Sequence, residues 1–315
     1  MFKININDHE GMEVINIANA QFGIELDIIA SFGAIINRFV VSNSPFSFIA
    51  GYRDHQDLLD THPFFSRSAK LFPFPNRLAS GRYQFAGQSY QLAANFPWSE
   101  HAVHGLLYNQ PFHIKVTDAN VEQASVTLSF VSSQLDNPGY PFPFTLEVEF
   151  VINTSGKLTC RTSITNTGAS DLPFGDAWHP YFSLGVERSE LLLNMSPCHE
   201  WLHEQDLPTG EKRPFDQFTQ AISIEGHELN HCFEFDSSSD AKLTLSRTDD
   251  KACLHFAQDA HYPFIQLYTP ASESSIAVEP MTCPANVFNN GFGLLVLKPG
   301  KTQTLEWHCQ AIYHG

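Results

Sequence analysis

Two-residue alternation of apolar and polar side chains runs through this chain and most narrows what it can become. Val126, Leu128 and Phe130 alternate with Thr127 and Ser129, and Leu146, Val148 and Phe150 alternate with Glu147 and Glu149. Leu158, Cys160, Thr162 and Ile164 follow the turn-forming Asn153-Thr154-Ser155-Gly156, and Leu243, Leu245, Leu305, Trp307, Cys309 and Ala311 extend the pattern. A period of two puts successive side chains on opposite faces of a strand, and strands with one wet face build antiparallel sheets. Pro and Gly between the runs mark turns and loops. Only short stretches, such as Asp54 to Asp60, read as helical. No repeat, heptad or polar linker divides the chain. Its 315 residues are therefore expected to form one all-β domain, residues 1–315. The expected fold is a large antiparallel β-sandwich of two packed sheets with loops at its rims.

Charge excludes several functions. The chain carries 18 Lys and Arg against 34 Asp and Glu, a net of -16. Such a surface repels phosphate backbones and anionic lipid, so neither nucleic acid nor membrane is an expected partner. The segment Phe22 to Val41 is the most apolar, but Glu25, Asp27 and Arg38 interrupt it. The N-terminal Met1-Phe2-Lys3-Ile4-Asn5 lacks a signal-like apolar run, which gives the expectation of a cytoplasmic protein. The six cysteines form no CxxC and read as free thiols. Some of the 27 Phe are available as stacking surface. Neither GxGxxG nor a P-loop lysine is present, so no cofactor is expected.

Proton transfer by side chains is then the natural chemistry, and three residues stand out for it. Glu279 follows the strand-like Ser275-Ile276-Ala277-Val278 and precedes Pro280, which is expected to end the ladder. A carboxylate there is either a desolvated base or a rim glutamate in a salt bridge. His179 lies among Trp178, Tyr181 and Phe182. It suits either a core histidine or a site for a ligand with apolar CH faces and hydroxyl edges, such as a sugar. His104 makes an HxxH pair with His101, but two imidazoles three apart converge on a metal only on a helix, and Gly105 follows at once. His227-Glu228-Leu229-Asn230-His231 matches the HExxH pattern literally, yet reads into a strand rather than a helix. Arg67, Lys70, Arg77 and Arg82 form the densest basic cluster, suited to a phosphate or to a sheet edge. Arg77 is the member held by the stiff Pro73-Phe74-Pro75-Asn76, which makes it a fork for hydroxyls.

Taken in order, several segments resemble the aldose 1-epimerase (galactose mutarotase) family. They are Ser31-Phe32-Gly33-Ala34, Phe72-Pro73-Phe74-Pro75-Asn76-Arg77-Leu78, Gly81-Arg82-Tyr83, His104-Gly105-Leu106, Tyr140-Pro141-Phe142-Pro143-Phe144, Trp178-His179-Pro180-Tyr181-Phe182 and Val278-Glu279-Pro280-Met281-Thr282. The resemblance implies a β-supersandwich and an isomerase that interconverts the α and β anomers of a free hexose. It implies Glu279 as catalytic base, His179 as catalytic acid and His104 beside them, with Arg77, Asn76 and Asn230 binding the sugar. It implies no metal or cofactor, and either a monomer or a homodimer. The family carries an aspartate where this chain has Asn230, which exchanges a charged acceptor for an amide. A hexose-phosphate epimerase, a non-catalytic sugar-binding protein and a sandwich lyase or glycoside hydrolase remain the alternatives at this stage.

Overall fold

The computed structural model describes residues 1–235 and 241–315; of Ala241 only the backbone is described. Alternation is realised as expected in the runs that show it. Gln123–Val131, Phe144–Asn153 and Lys157–Asn166 pair antiparallel in register, and Phe144, Leu146, Val148, Phe150 and Ile152 all point inward. They belong to a nine-stranded sheet. Its order from edge to edge is His113–Ala119, Gln123–Val131, Phe144–Asn153, Lys157–Asn166, Thr302–Tyr313, Ala252–Gln258, Ala241–Arg247, Leu191–Met195 and Ile222–Ser223.

A second sheet, of eight strands, faces it. Its order is Leu207–Phe215, Cys198–Glu204, Asn230–Phe235, Phe264–Tyr268, Ile276–Met281, Ala177–Trp178 and Lys70–Leu71, with Tyr181–Phe182 also paired to Ile276–Met281. A four-stranded N-terminal sheet spans Lys3–His9, Met12–Asn19, Ile24–Ile29 and Ile35–Val40. One apolar cluster joins these three larger sheets: Ile15 and Leu26 from the four-stranded sheet, Val126 and Leu146 from the nine-stranded one, and Phe233, Leu267 and Val278 from the eight-stranded one. The fold is thus all-β and antiparallel, as the periodicity predicts.

The eight-stranded sheet departs from simple alternation for a physical reason: both of its faces are covered. Val278, Leu267 and Trp178 enter the main core. Trp178 meets Phe150 edge-on at 5.6 Å and donates its indole N–H to Thr162 Oγ1 at 3.1 Å. Period two then sends Glu279, Gln266 and His179 to the opposite face. There a smaller cluster, including Met281, Cys232, Phe264 and Tyr52, surrounds the polar groups. The helical expectation at Asp54 to Asp60 extends to a helix over His55–Phe65. Asp54 caps it by accepting from the Asp57 N–H at 2.7 Å, satisfying a backbone donor that has no partner within the helix. Its last turn carries Phe64 and Phe65 to the edge of the polar face.

Candidate active site

Six residues singled out from the sequence, Asn76, Arg77, His104, His179, Asn230 and Glu279, line one cavity of ≈ 430 Å³. Gln266, Tyr181, Tyr268, Phe64, Phe65 and Trp98 complete most of the wall. The volume lies in the range of small-molecule sites. The mixture of aromatic faces with amide, imidazole, guanidinium and carboxyl groups fits a ligand with CH faces and hydroxyl edges.

Glu279 is within a strand, not at its end. Ile276–Met281 continues through Pro280, which stands opposite Ile265. The ladder tolerates the proline because the neighbour on the other side is broken into Ala177–Trp178 and Tyr181–Phe182. His179 and Pro180 bulge in that gap, and the Val278 N–H donates to the Pro180 carbonyl at 3.0 Å. The interruption brings His179 Nε2 to 3.3 Å from Glu279 Oε1. The His179 ring stacks on Tyr181 at 5.1 Å and meets His104 edge-on at 5.2 Å. Both members of the pair are buried, and Glu279 Oε2 and His179 Nδ1 have no hydrogen-bond partner among the described residues.

Burial governs the electrostatics. It drives the Glu279 carboxyl well above the usual carboxylate range, with Arg77 opposing weakly, and pushes the His179 imidazole down to about 3. The free-group values, ~4.3 for Glu and ~6.5 for His, lead one to expect a carboxylate facing an imidazolium at mildly acidic pH. Burial instead favours the neutral form of each partner. A neutral pair and an ion pair differ only in which partner holds the proton, so the pair carries one proton either way.

His104 is set by its backbone. Both His104 (φ 59) and Asn76 (φ 54) occupy the left-handed region, where a non-glycine residue is strained and is held by its surroundings. Here the two hold each other: the His104 N–H donates to the Asn76 carbonyl at 2.8 Å, and the Asn76 N–H donates to His104 Nδ1 at 3.2 Å. Burial keeps the His104 ring neutral. With Nδ1 accepting, its proton is on Nε2, and His104 is a hydrogen-bond donor. Gly105 is required beside it, because a Cβ there would lie 2.3 Å from the Phe72 carbonyl oxygen.

Arg77 Nη1 donates to Asn76 Oδ1 at 3.0 Å, Nη2 lies 3.3 Å from Asp206, and the guanidinium lies over Trp98 at 5.3 Å. Asn230 Oδ1 accepts from Gln266 Nε2 at 2.9 Å, while Gln266 Oε1 is buried without a partner among the described residues. The assigned amide orientations thus offer the cavity an Asn230 NH₂ donor and a Gln266 acceptor.

Two sequence readings dissolve in three dimensions. The basic cluster is scattered: Lys70 is buried on Asp176 at 2.5 Å, Arg67 pairs with Glu273, and Arg82 bonds Gln91 on an outer hairpin. Only Arg77 of the four lines the cavity. The HExxH segment runs as loop into the strand Asn230–Phe235, so its two imidazoles share no helix face. His101 and His104 likewise accept from different backbone amides, those of Ser80 and Asn76. Gln266 and Tyr268 escaped the sequence reading. The signal was the short run Phe264–Tyr268, whose alternate residues meet Glu279 and Ala277 once its register is known.

The family model described as aldose 1-epimerase matches residues 16–310. The uncharacterized protein YihR of Escherichia coli (strain K12) is 31% identical over 244 residues, covering 75% of this chain and 76% of that protein. The uncharacterized protein YphB of the same organism is 26% identical over 247 residues, covering 75% and 80%. Among solved structures, a galactose mutarotase-like protein from Clostridium acetobutylicum superposes with a TM-score of 0.86 at 17% identity, covering 100% of this chain and 99% of that one. A galactose 1-epimerase from Lactobacillus acidophilus does so with a TM-score of 0.80 at 16% identity over 100% of both chains. The chain belongs to the aldose 1-epimerase family.

Proposed function

We propose that this protein is an aldose 1-epimerase that interconverts the anomers of a free hexose by proton exchange between Glu279 and His179. The observation that carries the reading is the buried Glu279–His179 contact at 3.3 Å, with an unpartnered oxygen on one group and an unpartnered nitrogen on the other. As the sugar enters, its hydroxyls supply hydrogen bonds that favour the charged form, and the shared proton moves from Glu279 to His179. Glu279 then removes the proton from the anomeric hydroxyl, and the freed electron pair closes the C1–O1 double bond. The C1–O5 bond breaks, its electron pair goes to the ring oxygen, and His179 protonates that oxygen. The open aldehyde rotates about C1–C2, and the reverse steps close the ring on the other face.

Ring opening returns the pair to the neutral state that burial favours, so turnover requires no proton from solvent. His104 Nε2–H, Arg77 and the Asn230–Gln266 amides hold the hydroxyls. Each acid or base step contributes roughly 10²–10⁴ in rate. The dispersal of the basic cluster, with Arg77 already engaged by Asn76 and Asp206, favours an unphosphorylated sugar. Polarimetry on freshly dissolved glucose and galactose tests the reading: acceleration of either supports it, and failure to accelerate any free aldose overturns it.

A further inference from the structure

We propose that Asp206 is a specificity-determining residue: it cancels the charge of Arg77, so that the pocket takes a neutral sugar and turns away an anionic one. This rests on the epimerase reading above. Arg77 lines the pocket and is largely enclosed, with 16% of its side chain exposed. Asp206 approaches it from outside the pocket wall, with 60% of its side chain exposed, and its Oδ2 lies 3.3 Å from Arg77 Nη2. The other sides of the guanidinium meet neutral groups. Nη1 donates to Asn76 Oδ1 at 3.0 Å, and Trp98 lies across the face at 5.3 Å. Among the described residues, Asp206 is the carboxylate that pairs with this cation.

A hairpin tip delivers that carboxylate. Cys198–Glu204 and Leu207–Phe215 pair antiparallel with Glu204 opposite Leu207, which leaves Gln205 and Asp206 as a two-residue loop. Both have positive φ, 49 and 64. A loop of this shape is served as well by Asn or Gly as by Asp, so what Asp206 adds is its charge. His203 on the same hairpin is kept neutral, first by burial and then by His231 and Arg77, and supplies no second cation. The other charges around the pocket are absent or balanced. Burial favours the neutral forms of Glu279, His179 and His104, and Arg67 is paired with Glu273. With Asp206 in place, Arg77 offers donors to hydroxyls without a net charge at the wall. A phosphate, carrying about −1.5 to −2 charges, meets the Asp206 carboxylate together with Arg77. Without Asp206 the guanidinium becomes an uncompensated cation, and its field draws an anion into the pocket.

The experiment compares kcat/KM for mutarotation of glucose 6-phosphate with that of glucose, in wild type, Asp206→Asn and Asp206→Gly, at low ionic strength so that the charges are not screened. Asn and Gly both tolerate positive φ, so the hairpin persists while the charge is lost, and melting temperatures check that it does. The expected phosphate-to-free ratio is below one in wild type and rises about tenfold in both variants, the effect of one charge a few ångströms from a near-dianion in water-like surroundings. A wild-type ratio at or above one overturns the proposal, as does a ratio that neither variant raises. A rise in one variant only also overturns it, because the cause is then the shape of the turn and not the charge. If wild type accelerates no free aldose, the epimerase reading itself fails. Calorimetric titration of glucose 6-phosphate then tests Asp206 separately: tighter binding by about tenfold in both variants supports its role, and equal affinities in all three proteins overturn it.

Discussion

Glu279 and His179 hold one proton between them, and that shared proton sets the pH behaviour. A free imidazolium acid would lose its proton around 6.5, and activity would fall as pH rose through that value. In the buried pair His179 is pushed down to about 3 and Glu279 is pushed up, so no imidazolium is there to titrate at the free value. The kcat/KM profile is expected to show no histidine inflexion near the free-imidazole value of about 6.5, and one there would contradict this. Stability carries the same signature. A carboxyl raised in the folded state contributes stability that is fully present below its unfolded pKa and is lost as pH rises toward the folded one. Glu279→Gln removes that loss. Its melting temperature is expected to exceed wild type at about pH 7.5, with the difference closing by about pH 4. A variant less stable than wild type at the higher pH would refute the assigned protonation. Both His179 and Glu279 were legible from their local segments. Their protonation was not, because burial is a property of the assembled sheets.

At the scale of the element, the strand Ile276–Met281 shows where sequence patterning runs out. It is buried on both faces, so it shows no wet-dry alternation, and its proline misleadingly signals an end. The broken partner strand that admits Pro280 is itself stabilised by a charge network. Lys70 bonds Asp176 at 2.5 Å and the Ala177 carbonyl at 3.0 Å, and Tyr262 O–H donates to Asp176 at 2.6 Å. Neither Lys70 nor Asp176 is exposed. The sequence reading placed Lys70 in a basic cluster because spacing alone cannot reveal a partner 106 residues away. Lys70→Met leaves Asp176 without its cation, and equilibrium urea unfolding is expected to show a loss of about 3–5 kcal/mol. An unchanged midpoint would mean the pair contributes nothing to the folded state.

For the whole molecule, alternation in the nine-stranded sheet made the fold class readable, because that sheet has one wet face. The pairing order of the eight-stranded sheet was unreadable, since long-range register brings Gln266 and Asn230 to Glu279. One apolar cluster spans the three larger sheets, so chemical unfolding is expected to be a single cooperative transition, with fluorescence and far-ultraviolet dichroism coincident. Separate transitions would mean the sheets fold as independent units. The central claim, that the chain catalyses anomer exchange through Glu279 and His179, meets its most direct test in polarimetry of freshly dissolved glucose and galactose with wild type, Glu279→Gln and His179→Asn. The account predicts wild-type acceleration of at least one sugar and a fall of about 10²–10⁴ in each variant that folds. Full activity in either variant would contradict it.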